Sequence, residues 1–205
     1  MCPRRCNFAL AFCAQRKCMV LQVFDDPAVK RAARSIRALS SFRPRHKMWI
    51  TLPVIEKMMA WTRLQKGRDR VVLLYALAYI FMLRLPSEAL PMIVGPVADG
   101  TAQSIVTCSE TELTLRLRRR KNRPFGGTLV RSCWCDHSRS TCPVHTFGRA
   151  VKQFQAGARL FPSITAKGAL GTLRDMLVDL EVEDARTYRT HDLRRGHVLD
   201  MQTSG

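Results

Sequence analysis

The run RDRVVLLYALAYIFMLRLP, residues 68–86, contains the longest uncharged stretch noted in the chain, about 13 residues from Val71 to Leu83. A helix that spans a bilayer needs roughly 20 apolar residues, so this one is too short to cross. It is apolar almost all round, without the polar stripe that a surface helix carries, and other elements must therefore surround it. We expect a buried central helix opened by Asp69, with a single arginine, Arg84, set where it ends.

Upstream, Thr51 stands before LPVIEKMMAWTRL as a candidate cap, Pro53 falls in the first turn, and Ile55, Met58, Met59 and Trp61 supply an apolar face; Gly67 ends the segment. Before it, SSFRPRHK reads as a basic linker, because Pro44 biases its predecessor away from helix. Preceding the linker, PAVKRAARSIRALSS places Val29, Ala33, Ile36 and Leu39 at helical spacing among Lys30, Arg31, Arg34 and Arg37. Residues 1–26 are left unassigned: they are basic and partly apolar, yet no small-residue cleavage site follows a clean apolar core.

Downstream, SIVTC, TELTLRL and GTLVRSC are β-type runs separated by turn-forming residues, which predicts a small antiparallel sheet whose second connection is RRRKNRPFGG. Helix returns at about residues 144–154, again in KGALGTLRDMLVDLEV, and last around His191. The fold class expected is α+β, mainly helical. Three regions follow: 1–26, a basic helix and linker at 27–48, and the main domain at 49–205.

The 205 residues carry 34 Lys and Arg against 16 Asp and Glu, a formal charge of +18. Such an excess points to a polyanionic partner, nucleic acid first and an anionic membrane surface second. Eight cysteines without a secretory signal point to a reducing compartment, with metal ligands or free thiols favoured over disulfides.

Three motifs then stand in order: Arg84 in YIFMLRLPSEALPM, Lys121 in LRLRRRKNRPFGGTLVRSCWC, and His191 with Arg194 in RTHDLRRGHVLDM. Each alone has a plain structural reading, as a helix end, a solvated basic strand end and a surface helical turn. Taken together, with CPVH, they resemble the catalytic domain of tyrosine recombinases, the DNA breaking-rejoining enzymes, in a form similar to the Crypton-like recombinases of fungal genomes, over about residues 29–205.

The resemblance implies roles. Arg84 and Arg194 would clamp the non-bridging oxygens of a DNA phosphodiester, since two fixed guanidiniums suit the charge that develops there. His191 would exchange a proton at the phosphate or nucleophile, and Lys121 would protonate the leaving 5′ oxygen. Glu88 would orient Arg84 or cap the local fold. His197, on the plain reading of its motif, packs or caps and does not catalyse.

Arg43, Arg45, Lys47, Arg118, Arg119, Arg120, Arg123 and Arg195 would contact DNA. The basic helix and linker would be the remnant of a core-binding domain. The family continues into a further histidine or tryptophan and then the nucleophilic tyrosine, so a truncated copy is expected, inactive alone and nuclear. Its partners would be DNA and other recombinase protomers, with no membrane; in a third reading a longer partner donates the tyrosine in trans. The alternative is a basic nucleic-acid-binding or zinc-stabilised interaction module that retains the motifs.

RSCWCDHSRSTCPVHTF separately offers Cys133, Cys135, Cys142 and His145, a C-x-C-x6-C-x2-H series with His137 to spare. Three thiolates and an imidazole form a candidate structural zinc set; reduced structural cysteines are the other reading. The recombination chemistry itself requires no cofactor.

Overall fold

The computed structural model describes residues 26–41, 48–62, 68–97, 103–120, 125–137, 139 and 141–203, in two units that divide after Lys47. In the first unit, helix α1 (Pro27–Ser41) starts at Asp26, whose carboxylate accepts the Ala28 N–H at 2.5 Å. Its first turns are exposed on all sides except near Ala33, and Arg31 and Arg34 donate to carbonyls one turn back. The linker arginines and lysine at 43, 45 and 47 lie outside the described residues, as does Gly67.

The second unit is α+β, with helices α2 (Leu52–Thr62), α3 (Asp69–Ile80), α4 (Pro143–Lys152), α5 (Ala166–Asp179) and α6 (Asp192–Thr203). Its strands are β1 (Ile93–Val94), β2 (Ile105–Cys108), β3 (Glu112–Leu117) and β4 (Gly127–Ser132), hydrogen-bonded in the order β1-β2-β3-β4. The expected antiparallel sheet is corrected to a mixed one, because β1 runs parallel to β2. The strand missed, Ile93–Val94, is only two residues long and so shows no alternation to read.

Helix α3 is the core, as its composition requires: Val72, Leu74, Tyr75, Ala76, Leu77, Ala78, Tyr79 and Ile80 are all buried. It packs against α2, α4 and α6, which supply the surrounding apolar surface. No helix among the described residues is long and apolar enough to cross a membrane.

Two reversals aim the chain at the site. After α3, Met82 adopts φ of 51°, a left-handed conformation usually given to glycine, and Leu83 N–H closes onto the Ala78 carbonyl at 2.8 Å. Between β3 and β4, Gly126 has φ of 73°, and a Cβ there would fall 1.9 Å from the Leu117 carbonyl oxygen. Only glycine fits that closure. It leaves Arg118 to Arg120 at the end of the hairpin, with the strands paired from Glu112–Ser132 to Leu117–Gly127.

The last helix is fastened to the start of the unit. Ile50 N–H donates to the Asp192 carbonyl at 3.1 Å, and the Asp200 carboxylate accepts the Leu52 N–H at 2.7 Å and the Tyr79 hydroxyl.

Candidate functional site

Arg84 is the residue before a single π-helical turn, Leu85–Ala89, entered through Pro86. That turn brings Glu88 back under Arg84. The Glu88 side chain is buried, and its two oxygens divide: Oε2 accepts the Arg84 backbone N–H at 2.8 Å, and Oε1 faces the Arg120 Nε at 3.5 Å. Glu88 thus caps the local fold, and the guanidinium it holds belongs to Arg120. A further Arg120 nitrogen reaches the Met82 carbonyl at 3.5 Å.

His191 immediately precedes α6, where its carbonyl accepts the Arg195 N–H at 3.4 Å; it is a helix-entry residue, one place outside the helix on which the sequence put it. Arg194 is half-buried on the first turn. Burial lowers the Arg194 pKa; the Glu88 carboxylate opposes this, and the charges of Arg84 and Arg120 add to it. Burial also lowers the His191 pKa, helped by Arg194, Arg195 and Arg84 and opposed by Asp192. The imidazole is therefore biased towards its neutral form.

Arg84, Glu88, Arg120, His191 and Arg194 consequently act on one another as a cluster, although they come from three separate segments. Among the described residues, neither the Arg84 nor the Arg194 guanidinium has a hydrogen bond or an ion pair. Two half-buried guanidiniums with no hydrogen-bond acceptor among the described residues are suited to an anion that brings its own.

The other expected contacts are more scattered. Arg118 and Arg119 are exposed at the hairpin end, while Lys121 and Arg123 lie outside the described residues. Arg195 is engaged by the buried Asp192 at 3.1 Å. Asp192 also accepts the Arg189 N–H at 2.8 Å, so it organises the approach to α6. Sequence reasoning passed over this role, though an acid in the first turn of a helix is a recognisable signal.

Two of the three tyrosines have their hydroxyls engaged elsewhere. Tyr75 donates to the Ala169 carbonyl at 2.5 Å, and Tyr79 donates to Asp200. Tyr188 is buried, and burial raises its pKa. His197 is buried edge-on against Tyr79, with ring centroids 5.0 Å apart, and neither ring nitrogen has a hydrogen-bond partner among the described residues. It packs, as expected.

The second cluster forms where β4 runs out and α4 begins. Cys142 is the residue before α4, and His145 lies three positions later on the same side. The His145 Nδ1 is 3.0 Å from the Cys135 sulfur, 3.4 Å from that of Cys142 and 3.6 Å from that of Cys133; Cys133 and Cys142 sulfurs are 3.6 Å apart. All four donor atoms lie within 4.8 Å of one another and could hold a metal ion; His137 is not among them.

The thiols differ in acidity. Burial opposes ionisation of Cys142, but hydrogen bonds from the His145 backbone and ring and from the Trp134 backbone outweigh it and bring the thiol down to about 6. Burial and the neighbouring Cys142 and Cys133 push Cys135 up to about 12.

Comparison with protein-family models, curated proteins and solved structures gave no match.

Proposed function

We propose that residues 48–203 are a recombinase-type DNA-binding domain whose cluster of Arg84, His191 and Arg194 receives a phosphodiester. The observation that carries this reading is the pair of half-buried guanidiniums that, among the described residues, make no hydrogen bond or ion pair, beside a histidine held towards neutrality. A neutral imidazole can accept or relay a proton, and the arginines can bear the charge on the non-bridging oxygens. The Tyr75 and Tyr79 hydroxyls are hydrogen-bonded elsewhere and Tyr188 is buried at the approach to α6, so the reading assigns these residues binding and polarisation of a phosphate, with no nucleophile among them.

A nicked suicide duplex tests the reading. The chain alone should bind it in a salt-sensitive way and form no covalent adduct, while a tyrosine-containing recombinase fragment added in trans tests rescue. Binding that is unchanged in Arg84→Ala and Arg194→Ala would refute the assignment.

The metal that best suits the four-donor cluster is zinc. With Zn–S near 2.3 Å and Zn–N near 2.0 Å, a tetrahedral site sets its sulfurs about 3.8 Å apart and sulfur and nitrogen about 3.5 Å apart. The separations between Cys133, Cys142 and His145, 3.4 to 3.6 Å, are close to those edges, while Cys135 to His145, 3.0 Å, is shorter and would open on binding. Four protein ligands make the site structural, closing the loop from Cys133 to Cys142 onto α4.

A further inference from the structure

The charges in the cradle do not balance. Arg84, Arg120 and Arg194 contribute three positive charges, and Glu88 is the one carboxylate that acts on the Arg194 guanidinium. Arg195 is already matched by Asp192. The described residues of the cradle thus carry an excess of two positive charges, with a histidine that is biased towards neutrality.

Arg120 is part of this balance because of how it is held. The buried Glu88 uses one oxygen to fix the Arg84 main chain and the other to face Arg120, while the Met82 carbonyl takes a second Arg120 nitrogen. These contacts draw Arg120 away from its exposed neighbours Arg118 and Arg119 and place it, only partly exposed, beside the end of α3. A guanidinium has five donors, so those two contacts leave others to offer.

We propose that Arg120 is a third guanidinium of the cradle, and that the cradle is charge-matched to a phosphate carrying two negative charges, as at the end of a nucleic-acid strand. This rests on the reading above that the cluster receives a nucleic-acid phosphate, and it moves the preferred phosphate from an internal diester to a terminal monoester. A phosphomonoester is close to a dianion at neutral pH, because its second pKa is about 6. An internal diester carries a single charge and would leave one positive charge of the cradle unmatched. An unmatched charge in a partly buried site costs more than it would in water.

The test measures fluorescence anisotropy of short duplexes that differ only in a terminal 5′- or 3′-phosphate against a hydroxyl, at pH 7.5 and fixed salt. The wild-type chain should bind one of the phosphorylated ends several-fold more tightly than its hydroxyl counterpart. Arg120→Gln should lose most of that preference, and Arg120→Lys should recover part of it, with circular dichroism checking that each variant is folded. Equal affinity for phosphorylated and hydroxyl ends, with binding that still requires Arg84 and Arg194, would overturn the charge matching and leave the phosphate reading standing. A preference that survives intact in Arg120→Gln would overturn the role of Arg120. Binding to no duplex, or binding indifferent to Arg84 and Arg194, would overturn the underlying reading and the inference with it.

Discussion

Gly196 sits against the backbone of Ile50 so closely that a Cβ there would lie 1.8 Å from the Ile50 carbonyl oxygen and 2.3 Å from its carbon. The glycine in HDLRRGH is therefore a contact residue, and it determines how near α6 can come to the segment before α2. Arg194 and the entry residue His191 are placed by that approach. Gly196→Ala should destabilise the domain by about 3 kcal/mol or more, because backbone cannot move aside as a side chain can. Thermal unfolding followed by circular dichroism checks it; a variant as stable as wild type would contradict the packing.

Glu88 should be similarly intolerant, for an electrostatic reason. Glu88→Ala leaves the Arg84 N–H without its acceptor and Arg120 without its carboxylate, a loss of about 2–4 kcal/mol. Glu88→Gln keeps an acceptor for the N–H and should cost less. Urea denaturation of the pair separates the two contributions.

Salt dependence gives a count of phosphate contacts. If Arg84 and Arg194 each touch a phosphate, replacing either with alanine should reduce the slope of log affinity against log salt by about 0.9. Arg195→Ala should move the slope less, because its charge is already engaged by Asp192. Titrations at several salt concentrations would show whether the three arginines behave alike.

Zinc bound at the cysteine cluster should appear as one equivalent per chain, lost in Cys142→Ser and His145→Ala and replaceable by cobalt with a tetrahedral thiolate spectrum. Thiols must ionise to bind, so the metal should be released as the pH falls, and chelators should lower the melting temperature. Unchanged metal content in both variants would remove the assignment.

His197 makes stability depend on pH in a fixed direction. Burial, aided by Arg131, lowers its pKa in the folded state below the usual 6.5, and Asp200 opposes this. The unfolded chain then binds the proton more readily, so stability should fall as the pH drops below 6.5 and level off below the folded value. His191 adds in the same sense. His197→Phe, which keeps a ring against Tyr79, should flatten the profile measured by denaturant unfolding between pH 5 and 7.

The burial of α3 was readable because a stretch with no polar stripe has one physical outcome in water. The paired strands β2, β3 and β4 were readable from alternation and turn residues, and Cys133, Cys135, Cys142 and His145 from donor spacing. Arg84, Glu88, His191 and Arg194 were picked out as ordered motifs, although their meeting depends on contacts between distant segments. What stayed hidden was of that long-range kind: the parallel pairing of β1, the approach of Gly196 to Ile50, and the choice of Arg120 from among its basic neighbours. Local sequence cannot distinguish Arg119 from Arg120, since a buried carboxylate some 30 residues away makes the distinction.

The left-handed turn at Met82 makes Arg84 a stiff extension of the central helix, since three backbone bonds fold the chain back onto the last turn of α3 before the arginine emerges. Its backbone is thereby tied to the buried helix α3. If the cluster receives a phosphate, adjustment at Arg84 is confined to rotation of its side chain, because the main chain from which it springs is anchored.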